Sequence, residues 1–93
     1  MSVKFIPFGD RILIEQVKEA NKANLILDDE AVKRRPIGVV LKLGDGYAVQ
    51  SSRLREGNTI VFLELYGEKV KVGEKELLVI NLKDVLGRLY DEP

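Results

Sequence analysis

The chain contains no cysteine and no histidine. Their absence removes disulfides, thiolate nucleophiles, imidazole bases and the usual zinc and haem ligands together. A catalyst built from this sequence would have to work with carboxylates, lysine, arginine, serine, threonine or tyrosine. An excess of charge is missing too, since Lys+Arg and Asp+Glu each number 15 and the formal net charge is +0. Without a long-range field, binding to nucleic acid or to an anionic membrane starts at a disadvantage. No apolar run approaches membrane-spanning length, and the start Met1-Ser2-Val3-Lys4-Phe5 lacks the apolar core of a secretory signal. Ser2 stands where a myristoylation signal needs glycine. The expectation is a cytoplasmic protein with neither nucleic acid nor membrane among its partners.

What is present reads as one small domain over residues 1–93, with 45% hydrophobic and 32% charged residues. Phe5-Ile6-Pro7-Phe8-Gly9-Asp10 bends into a first strand from Asp10 to Val17, rich in branched aliphatics and suited to burial on both faces. Pro36 lacks a ladder N–H, so the next strand should begin at Ile37 or Gly38, with Val39, Leu41 and Leu43 forming one apolar face. Gly44-Asp45-Gly46 signals a turn, and residues 47–55 alternate only weakly. Thr59 to Leu63 is nearly continuously apolar, the mark of a strand with neighbours on both sides. Glu68-Lys69-Val70-Lys71-Val72 alternates strictly, Leu77-Leu78-Val79-Ile80 returns after a polar hairpin, Asn81 to Asp84 suits a single helical turn, and Val85 to Tyr90 is a last strand. Short strands with glycine-containing turns, and no amphipathic window long enough for a proper helix, specify an all-β fold, a small barrel or sandwich.

The longest connection, residues 16–36, is the informative one. Connections beyond about 12–15 residues are uncommon in compact domains and are usually functional or disordered. Lys18 to Asn24 and Asp28-Asp29-Glu30 offer almost nothing to bury, so the loop is expected to be mobile. The apolar triplet Leu25-Ile26-Leu27 in that setting is either a docking tag or a short strand folded back on the domain. Lys33-Arg34-Arg35 reads as a solvated loop flank, and Asp28-Asp29-Glu30 lacks the spacing and glycine of a calcium loop. Asp10 and Arg11 suit a turn contact or structural pair, and Tyr66 a packed aromatic, better than acid/base chemistry. Apolar strands at both termini leave edges that invite pairing. The residues alone favour pairing of the two termini within one subunit; closure of an oligomer through them is the other solution.

These segments, in order, resemble the small co-chaperonins of the GroES type, the ten-kilodalton lids of ring-shaped chaperonins. The resemblance runs through Pro7 to Ile14, Leu25-Ile26-Leu27, Gly38 to Gly46, Arg55 to Phe62, Tyr66-Gly67 and Asp84 to Gly87, and so spans nearly the whole chain. It implies a small irregular β-barrel with a long mobile loop and a short roof hairpin at about residues 44–57. It also implies a homoheptamer closed through terminal strands, and docking of Leu25, Ile26 and Leu27 on a large GroEL-type chaperonin ring. ATP belongs to that partner, so no cofactor, metal or catalytic residue is expected here. The sequence departs from the family where Asn24 and Asp28 flank the triplet, in the shorter roof, and at Asn58, where aspartate is common and turn geometry is at stake. A stand-alone barrel that grips a peptide through the same triplet is the alternative. The related barrels of zinc-dependent dehydrogenases are opposed by the missing cysteine and histidine.

Overall fold

The computed structural model describes residues 4–17, 36–63 and 67–89. Leu25-Ile26-Leu27, the flanking acidic and basic runs, and Tyr66 lie outside these residues. Among the described residues, six antiparallel strands form one sheet: β1 (Arg11–Gln16), β2 (Ile37–Leu43), β3 (Thr59–Phe62), β4 (Glu68–Val72), β5 (Lys75–Asn81) and β6 (Val85–Leu89). Their order is β4-β5-β1-β2-β3-β6, so β3 has a neighbour on each side, as its apolar composition requires. A 3-10 turn at Leu82–Asp84 joins β5 to β6, and the Asn81 side chain accepts a bond from the Lys83 N–H at its start.

That turn forces the sheet to curl. Four strand spacings separate β5 from β6, about 19 Å in a flat sheet. A 3-10 turn advances only about 2 Å per residue and spans less than half of that distance. The sheet must therefore coil into a barrel whose end the turn closes. Two backbone bonds hold the turn there, Leu82 N–H to Asp10 C=O (2.7 Å) and Leu63 N–H to Asp84 C=O (2.9 Å), tying it to the start of β1 and the end of β3.

The barrel interior holds Ile12, Ile14, Val40, Val49, Ile60, Phe62, Leu78 and Ile80. A second, smaller cluster of Leu13, Leu77 and Val79 is covered by Phe5, Leu41, Val70 and Val72. All of Ile12, Leu13 and Ile14 are buried, as expected for a strand with both faces covered. Val70 and Val72 do turn toward apolar neighbours, but those of the smaller cluster.

Three expectations are corrected. First, Val39, Leu41 and Leu43 do not share one face. Ile14 pairs with Val40 while Leu13 pairs with Lys42, which leaves Leu41 as an extra residue in β2. This bulge breaks the two-residue period, so Val40 and Leu43 both meet the main core and Leu41 meets the other cluster. Second, residues 44–57 hold no roof hairpin. They carry a six-residue helix, α1 (Tyr47–Ser52), which ends at Arg53 in the left-handed conformation (φ 63°). Third, the described parts of the termini do not pair with each other: β6 pairs with β3, and residues 4–8 lie in no strand.

Candidate functional site

Residues 18–35 leave and re-enter the sheet at one point. Gln16 pairs with Gly38, and the Val17 N–H donates to the Ile37 carbonyl at 2.7 Å. Ile37 is fully buried, and the Pro36 carbonyl accepts from Phe62 N–H at 3.2 Å, so the returning strand is fixed from its first residue. Gly38 is needed for this closeness. A Cβ there would stand 2.9 Å from Ile14 Cδ1 and 3.2 Å from Phe62 Cε1. The root of the long loop is thus rigid, and lies where β1 and β2 pair. The triplet itself falls within residues 18–35, outside the described residues.

A second junction joins the chain's start to α1. The Gly9 carbonyl accepts from Gly46 N–H (2.8 Å), and Gly9 N–H donates to Asp45 Oδ1 (3.1 Å). Gly9 has φ 68°, a conformation that glycine adopts without steric cost. α1 begins after Gly46, which has no side chain to cap it. Asp10 Oδ1 does this from a distance, accepting from Ala48 N–H (3.0 Å) and Val49 N–H (3.4 Å). Asp10 is therefore a structural turn contact, in line with the sequence reading. A six-residue helix is marginal in isolation and depends on such contacts and on the burial of Val49.

Replacing Asp10 with alanine should cost about 1–2 kcal/mol of stability, the usual value of a lost cap. Asp10→Asn keeps an acceptor and should recover most of the loss. Urea unfolding of the three proteins is the check. Equal midpoints for wild type and Asp10→Ala would show that the carboxylate does not hold the helix.

Asn58 fixes the next turn, its Oδ1 accepting from Arg55 N–H (2.8 Å) while its own N–H returns a bond to Arg55 C=O (3.1 Å). The departure at this position therefore does act through turn geometry. Among the described residues, no three aspartate, glutamate, histidine or cysteine side chains converge in a way that could hold a metal. The exposed large apolar side chains among the described residues are Ile6, Phe8, Tyr47 and Leu86, the first two before β1 and the last on edge strand β6. Composition left the helix and its distant cap unseen, since Gly44-Asp45-Gly46 signalled only a turn.

The family described as the chaperonin 10 Kd subunit matches residues 4–89. Proteins named Co-chaperonin GroES are among the relatives. That of Campylobacter hominis is 34% identical over 88 residues, covering 91% of this chain and 97% of its own length. That of Helicobacter hepaticus is 33% identical, covering 91% and 96%, and that of Staphylococcus haemolyticus 30%, covering 91% and 97%. With the match spanning the barrel, the root of the long loop and both ends of the sheet, the chain belongs to the ten-kilodalton chaperonin family, the GroES-type co-chaperonins.

Proposed function

We propose that this co-chaperonin assembles as a homoheptameric ring that docks on a large GroEL-type chaperonin through Leu25, Ile26 and Leu27 and caps the cavity in which a substrate protein folds. The supporting observation is the root of residues 18–35, where β1 and β2 pair and the Val17 N–H meets the Ile37 carbonyl, in a chain whose sequence between those strands carries one apolar triplet among polar residues. The whole chain acts as one domain in the cytoplasm. It is not an enzyme: nucleotide is bound and hydrolysed by the chaperonin, and the lid needs no cofactor.

The energetics favour a ring over a single binder. Burying the three aliphatic side chains is worth about 5–9 kcal/mol. Ordering about ten loop residues costs of order 1 kcal/mol each or more. One loop alone binds weakly. Joining several on one rigid body makes each later contact intramolecular, and avidity then exceeds single-site affinity by about 10²–10⁴. Modest changes at each chaperonin site, summed over the ring, release the lid again. The exposed apolar residues before β1 and the edge strand β6 are the surfaces available for ring closure.

A refolding assay tests the function. With a chaperonin and ATP, adding this chain should raise the yield of a substrate that does not refold spontaneously under the same conditions. A yield unchanged at saturating chain would contradict the lid role.

A further inference from the structure

Resting on the docking reading above, we infer that Gly38 is a positioning residue for docking, because the side chains that close over it decide where the sheet ends and the chain toward the triplet begins. Gly38 is buried in β2 between two strands, opposite Gln16 of β1 and Ile60 of β3. Its diagonal neighbours on those strands are Ile14 and Phe62, both fully buried, and both lean into the space that a side chain at residue 38 would fill. A glycine inside a central strand weakens it, and often marks a place where another group comes close. Here two core side chains take the room.

The consequence lies in the first row of the sheet. With Ile14 and Phe62 seated over Gly38, the neighbouring backbone closes: Val17 N–H donates to the Ile37 carbonyl at 2.7 Å, and Phe62 N–H to the Pro36 carbonyl at 3.2 Å. These two bonds fasten the chain on either side of residues 18–35. Each residue released from this seam adds about 3.3–3.6 Å of reach and must be ordered again when the triplet docks. That ordering is equivalent to at least about fivefold in affinity per residue, and in a ring it enters once per copy. A small loosening at residue 38 therefore becomes a large loss of docking.

A purely structural glycine would behave differently. If Gly38 served only the packing of the barrel, replacing it would lower the unfolding midpoint and leave the docking affinity of the folded chain unchanged. A Cβ at residue 38 would stand 2.9 Å from Ile14 Cδ1, 3.2 Å from Phe62 Cε1 and 3.3 Å from the Glu15 carbonyl oxygen. Two of these atoms belong to fully buried side chains and the third to the backbone of β1, so none moves freely. The start of β2 yields instead, because only the first row of bonds has to open.

Two routes to a loosened seam provide the test. Gly38→Ala forces the clash, and Ile14→Val removes Cδ1, the atom that the new Cβ approaches most closely. Val17→Pro deletes the N–H bonded to Ile37 without entering the core, and Gln16 is already extended, as a residue before proline must be. Labelled chains are titrated against a GroEL-type chaperonin with ATP, sedimentation velocity follows assembly, and hydrogen exchange reads the Val17 and Phe62 amides. Gly38→Ala should sediment as wild type, exchange faster at both amides and bind at least about tenfold more weakly. Adding Ile14→Val should restore most of the affinity, while Ile14→Val alone stays close to wild type. Val17→Pro should lose at least about tenfold as well, and it carries the test alone if Gly38→Ala does not fold. Wild-type affinity in either folded single variant, or a loss in Gly38→Ala that Ile14→Val does not relieve, would overturn the positioning role and leave docking in place. A wild-type chain that does not bind the chaperonin would overturn both.

Discussion

Ile26→Asp should abolish binding to the chaperonin and leave the ring's sedimentation coefficient unchanged. Losing the buried isoleucine forfeits about 1.5–3 kcal/mol per loop, and forcing a carboxylate into an apolar site adds a desolvation cost or prevents docking. Every copy in the ring carries the change, so the loss enters once per subunit. A drop in affinity of 10²-fold is about 2.7 kcal/mol, which one or two altered loops would already supply. The affinity should therefore fall well beyond 10²-fold. The root of the loop is built from Gln16, Val17, Ile37 and Gly38. Retained binding by a correctly assembled variant would remove the triplet from the docking role. Titration of labelled lid against chaperonin in the presence of ATP, followed by fluorescence anisotropy, reads both cases.

Phe62→Ala should have the largest effect on the fold itself. Phe62 is fully buried in the main cluster, at the bulge where β3 pairs with β6, and its ring packs close to Gly38 at the loop root. Truncating a buried phenylalanine costs about 3–5 kcal/mol. Against the 5–15 kcal/mol that holds a typical domain together, this is a large share for a chain of 93 residues. The variant should unfold at much lower urea, and the ring should be lost with the subunit. A midpoint shift equivalent to less than about 1 kcal/mol would mean that this core does not bear on stability as the packing indicates. The conservative Phe62→Leu should fall between the two, because it leaves a smaller cavity.

Much of this architecture was legible in the residues, and the limits have physical causes. Ile12-Leu13-Ile14 announced a strand buried on both faces and Thr59 to Leu63 a central one because each is a run of large apolar side chains; Ile12, Leu13, Ile14, Ile60, Val61 and Phe62 are all buried. The turn from Asn81 to Asp84 was legible because an Asn side chain caps the N–H two residues on. The bulge at Leu41 was not. It depends on which residues of β1 and β2 face each other, a long-range property that alternation within one strand does not encode.

Helix α1 escaped for a related reason. Tyr47-Ala48-Val49-Gln50-Ser51-Ser52 is too short for helical periodicity to stand out, and its cap comes from Asp10, far away in sequence. The residues alone favoured pairing of the termini within one subunit because composition shows that an edge exists but not which strand occupies it. β3 occupies one side of β6, and the other side is open among the described residues. As for the candidate site, Leu25-Ile26-Leu27 stood out only by contrast with the polar residues around it. The structure contributes what the sequence lacked, a rigid root for that loop.

The helix in place of a roof hairpin also alters the geometry expected at the top of the subunit. A hairpin projects, whereas α1 lies against the barrel with Val49 buried among core residues and Arg53 held by Arg88. Tyr47, 85% exposed at its start, is the one large side chain that this element offers to solvent. The exposed face is otherwise small and polar, with Gln50, Ser51 and Ser52.

The most direct test of the central claim is analytical ultracentrifugation of the purified chain, alone and with a GroEL-type chaperonin, with and without ATP. The account predicts a closed heptameric ring when alone, and co-sedimentation with the chaperonin when nucleotide is present. A monomer that ignores the chaperonin under both conditions would contradict it.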